Sequence, residues 1–272
     1  MPNSETIVIR DIEELSEIRQ LEQLQKRIWG VSDLDVLPAL ALIPLKEVGA
    51  ILIGAFDKNE LIGFVFGFPG LNDGRLIIHS DMLGVLPEYR SYSLGLLLKL
   101  AQRERAVAMG VDTITWTFDP LRTVNANLNF SRLGVTANRY EVNYYGETSS
   151  FLHQSGTDRL WVNWALNSKR VRERVASKSN HLDSRFIQDS TVLVRCADDG
   201  RPLITKEPLG EASLIEIPAN LAELIKEDAS LAAEWRSATR QAFTEALKAG
   251  YFVEDFRFDP PTQKGVYLLS RQ

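Results

Sequence analysis

The residues best suited to chemistry stand in one short run, Val85-Leu86-Pro87-Glu88-Tyr89-Arg90-Ser91-Tyr92-Ser93-Leu94-Gly95. It separates an apolar, strand-like stretch from a helical one. The first turn of a helix leaves backbone N–H groups unpaired and carries the positive end of the helix dipole, so it attracts anions. Arg90 adds a cation there, and Ser91 and Ser93 add hydroxyl donors. Gly95 lets a bulky group approach the backbone without meeting a Cβ. The chemistry implied is the gripping of a diphosphate. A nucleotide-binding P-loop fits less well, because no Gly-x-x-x-x-Gly-Lys-Ser/Thr run occurs. The histidines His79, His153 and His181 are scattered without a second ligand at metal spacing, so no metal is expected.

The surrounding elements follow from periodicity. Strand-like runs are Thr6–Ile9, Ile51–Phe56, Leu61–Phe68 and Arg75–Val85, the last three reading as an antiparallel meander. Asp11 is expected to cap a helix that runs from Ile12 and ends at Gly30. A short helix is expected over Val36–Val48. A stronger one covers Leu94–Met109, with Leu97, Leu98, Ala101, Ala106 and Met109 on its buried side and Gly110 as its stop. Strand Thr113–Phe118, helix Val124–Leu133 and strands Arg139–Tyr145 and Leu160–Ala165 complete the order β-α-α-β-β-β-α-β-α-β-β. This is an α/β (α+β) pattern: a mixed, mostly antiparallel sheet flanked by helices. Beyond Asn167 the character changes. Ser168–Asp189 reads as a helix plus linker. A smaller α+β unit follows, with strands Thr191–Arg195, Ser213–Ile217, Tyr251–Phe258 and Val266–Ser270 and helix Ala219–Ala249. The expected domains are therefore 1–167 and 168–272.

Composition agrees with a globular protein. Of 272 residues 44% are hydrophobic and 25% charged, and the net charge is −5. No Lys/Arg run provides a nucleic-acid footprint, and no apolar run reaches the length of a membrane span. The single cysteine, Cys196, and the polar start Met1–Thr6 point to a reducing, cytoplasmic compartment.

Arg90-Ser91-Tyr92-Ser93-Leu94-Gly95, preceded by Val85-Leu86-Pro87, resembles the GNAT (GCN5-related N-acetyltransferase) signature Arg/Gln-x-x-Gly-x-Gly/Ala with its upstream Val-x-Pro. It departs at Ser93, which stands where the family has its first glycine. Asn125-Ala126-Asn127-Leu128-Asn129-Phe130-Ser131-Arg132-Leu133-Gly134 resembles the family's helix ending in Tyr-x-Lys-Leu-Gly-Phe. The resemblance covers roughly residues 6–166. The C-terminal unit lies outside it, and Ala219–Ser270 reads as a worn second copy of part of the fold.

The resemblance implies an N-acyltransferase that uses acetyl-CoA or another acyl-CoA, with a small-molecule amine as acceptor, neither nucleic acid nor membrane as partner, and homodimer formation through strand edges. Coenzyme A (CoA) would lie between two splayed strands, Arg75–Val85 and Thr113–Phe118. Its diphosphate would meet Arg90, Ser91, Tyr92, Ser93, Leu94 and Gly95, and its pantetheine amides the backbone at Leu83 and Val85. Asn125 and Asn129 would bond the pantetheine arm or cap a helix. A general base would be His79 or Asp81, two apart on a strand and so expected on one face. The family's proton-donating tyrosine is replaced by Phe130, leaving Tyr140, Tyr144, Tyr145 or water for that role. Trp29, Asp119, Asp158 and Arg159 are the expected acceptor-side residues. For Asp119 and for the Asp158-Arg159 pair, the alternative is a turn and a surface ion pair. A non-catalytic acyl-CoA-binding module is the competing reading, motivated by Phe130.

Overall fold

β2 (Ile51–Asp57), β3 (Glu60–Asn72) and β4 (Arg75–Val85) form the expected antiparallel meander. The computed structural model describes residues 6–146, 156–176, 190–205 and 209–271. His153, His181 and most of the expected linkers lie outside these. The chain divides into two compact units, one running to Trp116 and the other starting at Thr117.

In the first unit, β2 and the first half of β3 are rich in Ile, Val and Phe and buried nearly throughout. That pattern arises when helices cover both faces of a sheet. Trp29 at the end of α1 (Leu15–Trp29) packs edge-on against Phe64, with centroids 5.7 Å apart. Gln102 of α3 (Leu94–Ala108) lies against Gly67. Positions 64 and 67 differ in parity along β3, so α1 and α3 cover opposite faces. α2 (Ala39–Glu47) packs on α1. β1 (Ile7–Asp11) pairs antiparallel with β2, and β5 (Thr113–Phe118) pairs parallel with β4.

Several expected boundaries move. Asp11 belongs to β1 and binds Arg105 (2.9 Å). α1 starts at Leu15, and the Glu17 carboxylate accepts the N–H groups of Glu13 and Glu14. β3 continues through Pro69 and Gly70, because the hairpin closes only at Asp73-Gly74, both at positive φ (49° and 74°). Leu97 and Met109, assigned to the buried side of α3, are exposed. That side carries Leu94, Leu98, Lys99, Gln102 and Ala106 instead.

In the second unit, α4 (Thr123–Ala126) runs on into a π-helical turn, Asn127–Leu133, closed by Gly134 at φ 73°. It leads to the hairpin β6 (Thr136–Glu141) and β7 (Arg159–Ala165). β6 ends at Glu141, so Tyr144 and Tyr145 fall in a turn and not in the expected strand. α5 (Lys169–Ala176), β8 (Thr191–Cys196), β9 (Pro202–Ile204) and β10 (Ala212–Pro218) follow. β9 had no signal in the sequence reading. The expected helix Ala219–Ala249 is two helices, α6 (Leu221–Glu227) and α7 (Ala229–Lys248). They break at Asp228, which is extended and accepts the N–H of Leu231 (3.0 Å). β11 (Tyr251–Asp259) and β12 (Lys264–Arg271) form the last hairpin. Within this unit the strand order is β7-β6-β11-β12-β10-β8-β9.

The division falls at 116/117 and not at the expected 167/168, for stated reasons. β6 pairs with β11 through Ala137 and Val253. Phe130 packs edge-on against Tyr267 of β12 at 5.7 Å. Arg236 and Arg240 of α7 grip Asp119 and Asp158. The sequence of helix, positive-φ glycine and antiparallel hairpin occurs twice, at Gly134 and at Gly250 (φ 86°).

Candidate functional site

β4 carries the site. Phe66 pairs with Met82 but Gly67 pairs with Ser80, so Asp81 is an extra residue without a partner in β3. It is a β-bulge. Counting by twos from His79 therefore fails across it. His79 faces the same side as its partner Phe68, and beyond the bulge that side continues through Met82 and Gly84. His79 and Asp81 are not simple same-face neighbours, which corrects the expectation from spacing.

The bulge coincides with a fork. β4 and β5 pair at Ile78–Ile114 and His79–Thr115, and the ladder has no further rung. Leu86 N–H donates to Ile62 O (2.9 Å), which sets the alternation along this antiparallel pair. Gly84 then exchanges hydrogen bonds with β3, while the N–H and C=O groups of Leu83 and Val85 point away from β3, and the Val85 C=O accepts Arg90 Nε. Gly84 itself is required by close packing, since a Cβ there would meet Ile28 and Trp29 at 2.9 and 3.0 Å. Trp29 is thus half-buried against Phe64 and Gly84.

At the end of β4 the chain makes a 3₁₀ turn, Pro87–Tyr92, and enters α3 through Ser93. The Tyr89 hydroxyl donates to Asp57 (3.1 Å) and pins the turn to the sheet. Ser93 has φ 57° and ψ 21°, a left-handed conformation. It occupies the geometry a glycine would adopt most easily, at a strain of about 1–2 kcal/mol for an L-residue. A right-handed residue followed by a left-handed one makes successive N–H groups converge into a concave anion site, a nest. The N–H groups of Leu94 and Gly95 meet no acceptor among the described residues. Ser91 and Ser93 are exposed. Arg90 is exposed too, and its Nε donates to Val85 O (3.3 Å). Arg90, Ser91 and the left-handed Ser93 thus follow one another directly after β4, at the start of α3.

The two candidate bases differ in environment. His79 is half-buried, with Nδ1 3.0 Å from Thr115 Oγ1 and its ring 5.7 Å from Phe68. Burial, and then the nearby Lys99 amine, hold its imidazole below the ordinary value. Asp81 is solvent-exposed and makes no hydrogen bond or ion pair among the described residues. Even so, the protein around it raises its carboxyl above the usual range.

The other expected residues separate. Asp119 and Asp158 are neither at an open mouth nor on the surface. Asp119 receives both Nη nitrogens of Arg236 (2.7 and 2.8 Å), and both side chains are largely buried. Asp158 has no exposed side-chain surface. It takes Arg240 through two nitrogens (2.8 and 2.9 Å), the Tyr140 hydroxyl (2.8 Å) and the Asn143 N–H (3.0 Å). Burial alone would push the Asp158 carboxyl up, but these donors outweigh it and hold it low. Tyr140 is stacked on Phe243, and burial and Asp158 raise its phenol. Its proton is committed. Tyr145 is exposed beside Tyr144, with Arg159 5.0 Å over its ring. Asn129 is buried in the π-helical turn, where its carbonyl accepts Gly134 N–H and Val135 N–H; Asn125 is exposed. Phe130 is fully buried between Phe118 and Tyr267.

One residue escaped the sequence reading. Lys99 lies inside the first unit, 2% exposed, with Nζ 2.7 Å from Ser80 Oγ and 3.3 Å from Gln102 Oε1. It also sits 3.7 Å from the centroid of Trp116. Burial lowers its amine well below the ordinary value. The signal was available: Lys99, Gln102 and Ala106 are spaced three and four apart, along the buried stripe of α3.

No protein-family model matches the chain, and no curated protein matches it. Several solved structures are similar. The ribosomal-protein-S18-alanine N-acetyltransferase from Escherichia coli is 13% identical, over 65% of this chain and 99% of that one, at a TM-score of 0.47. Aminoglycoside 6'-acetyltransferase type Ii is 18% identical, over 60% and 99% of the two chains, at 0.47. An acetyltransferase of the GNAT family from Streptococcus pneumoniae is 16% identical, over 58% and 98%, at 0.48.

Proposed function

We propose that this chain is an acyl-CoA-dependent N-acyltransferase acting on a small-molecule amine. One observation carries the reading: the Leu83 and Val85 backbone groups that point away from β3 are followed, along one strand and the turn after it, by the left-handed Ser93 at the start of α3. A chain of amides ending in a diphosphate needs an unpaired strand edge followed by an anion site. Leu83, Val85 and Ser93 follow one another in that order.

Acyl-CoA supplies the thioester when bound. The roles of this chain are binding, orientation and proton removal. Leu94 and Gly95 N–H, the Ser91 and Ser93 hydroxyls and Arg90 hold the diphosphate. Leu83 and Val85 hold the pantetheine amides as an added strand edge would. A backbone N–H on β4 would stabilise the charge developing on a bound thioester's carbonyl oxygen. Asp81 is the better general base of the two candidates. It is exposed and makes no hydrogen bond or ion pair among the described residues, so its carboxylate is free to take a proton. His79 instead fixes the last rung of the ladder through Thr115.

The test begins with CoA binding by calorimetry. Arg90→Glu places an anion beside the diphosphate, and an affinity loss of about tenfold or more is expected. Unchanged binding would remove the loop assignment. Turnover is then followed as free thiol released from acetyl-CoA with a panel of small amines, and Asp81→Asn should lower kcat with little change in KM for acetyl-CoA. Buried Phe130, which offers no proton to a leaving thiolate, favours a second reading, a binding module without turnover. Saturable CoA binding with no thiol release across the panel would select it.

A further inference from the structure

A left-handed residue other than glycine persists only where its surroundings over-determine it. Among the described residues, Lys58, Asp73 and Gln263 do so in hairpin turns, closed by the strand partners Asp57–Glu60, Asn72–Arg75 and Asp259–Lys264. There the joined strands impose the geometry. Asn143 stands in the turn after β6, and asparagine tolerates this region. Ser93, at φ 57°, stands between a 3₁₀ turn and a helix, where no strand pair imposes it. Something else must hold it.

On the helix side the hold is plain. The Ser93 carbonyl accepts the N–H groups of Leu96 and Leu97 (3.0 and 3.2 Å), and Leu94 is buried. On the turn side, Arg90 Nε reaches Val85 O at 3.3 Å and Glu88 reaches Arg27 at 3.6 Å, both in exposed positions. Exposed ties of that kind are worth little. Tyr89 differs. It is only 9% exposed, and its hydroxyl donates to Asp57 Oδ2 at 3.1 Å. The other oxygen of that carboxylate accepts Thr6 Oγ1 at 2.7 Å. Asp57 ends β2 and is paired there with Ile7 of β1, so the tyrosine is tied to the sheet where two strands meet. A hydrogen bond to a carboxylate is among the stronger kinds.

We infer that Tyr89 is a positioning residue: through Asp57 it holds the turn against the strain at Ser93, and so keeps the Leu94 and Gly95 amides in the arrangement that takes a diphosphate. The diphosphate in that statement rests on the function proposed above; the hold on Ser93 does not. The tyrosine acts through Asp57, to which its hydroxyl is committed.

Three variants of the full chain test this: Tyr89→Phe, Ser93→Gly and the two combined. Phenylalanine keeps the ring and removes the donor. A turn freed from Asp57 can relax, and glycine at position 93 then has less strain to relieve. Ser93→Gly should therefore raise the urea midpoint in the parent and raise it clearly less in Tyr89→Phe. This readout needs no ligand. In calorimetry, Tyr89→Phe should bind CoA about tenfold more weakly than the parent. In the Ser93→Gly background the same change should cost less than about threefold, because glycine adopts the geometry without help. A tyrosine that merely stabilises the fold would act equally in both backgrounds. Thr6→Val is the control: it removes the other arm of Asp57 and should leave the gain from Ser93→Gly as it is in the parent. No midpoint gain from Ser93→Gly in the parent, or equal gains in the parent and in Tyr89→Phe, overturns the proposal. So does unchanged CoA affinity in Tyr89→Phe, or a loss of the same size in both backgrounds. If the parent fails to bind CoA, the function is wrong, and the midpoints still decide the hold on Ser93. Should Tyr89→Phe not fold, Asp57→Asn weakens the same hydrogen bond and carries both readouts.

Discussion

The two units place basic side chains in opposite surroundings. In the second, Arg236 and Arg240 each face a carboxylate across two hydrogen bonds, and Asp158 has further donors from Tyr140 and Asn143. In the first, Lys99 is as deeply buried as any of them and has only a hydroxyl, an amide oxygen and an indole face. The paired charges tie α7 to the segments before β6 and β7. Their electrostatics close locally, and they behave as fasteners. The unpaired amine does not close its own account, and it sits where two strands part. The lesson is one of balance: a buried charge is kept where a carboxylate compensates it, and an amine buried without one is held below its ordinary value.

The largest expected effect tests the fasteners. Arg236→Met leaves the largely buried Asp119 with only the more distant Arg122 (3.9 Å) and the Leu121 N–H, and should cost about 3 kcal/mol in urea unfolding. Adding Asp119→Leu should recover most of that loss. A single-variant loss below about 1 kcal/mol would mean that the pair is solvated and the comparison empty. Lys99→Met should move stability the other way, which is the sharpest contrast between the units.

Ser93→Gly comes next. It relieves left-handed strain of about 1–2 kcal/mol, partly offset by the greater freedom of an unfolded glycine. A net gain of about 1 kcal/mol is expected, with CoA affinity kept. A loss of stability would show that the serine hydroxyl, and not the backbone, is what the turn needs.

The smallest effect is the pH dependence. His79 has a folded value below its unfolded value near 6.5, so it contributes stability above about pH 6.5 that is lost as pH falls toward the folded value. Asp158, also held low, contributes above about pH 4 and loses its contribution as pH falls through the folded value. Urea midpoints should therefore fall in two steps, and His79→Gln should flatten only the upper one. Loss of both steps together would mean that the two units unfold as one and that the assignment by residue fails.

Much of this was legible in the sequence. The element order through residue 165 follows from hydrophobic period and from the stops at Gly30, Gly110 and Gly134. The turn from β4 into α3 could be read because its residues are contiguous. The bulge at Asp81 could not, since one extra residue leaves no mark on a run as apolar as Arg75–Val85. Asp119 and Asp158 were misplaced because their partners lie 117 and 82 residues away on α7, beyond any local pattern. Lys99 was passed over because a lysine within a helix ordinarily faces water. The break at Asp228 had a clear cue, since aspartate two residues before Ser230 is a strong cap, but the helical period continued across it.

The bulge has a genetic consequence. A single-codon deletion between Ser80 and Met82 would restore regular alternation along β4 and remove the local bend that a bulge gives a strand. Met82 and Ser80 would keep their partners Phe66 and Gly67 in β3, so a change of one codon would re-aim the strand without altering its pairing, and nothing in the composition would announce it.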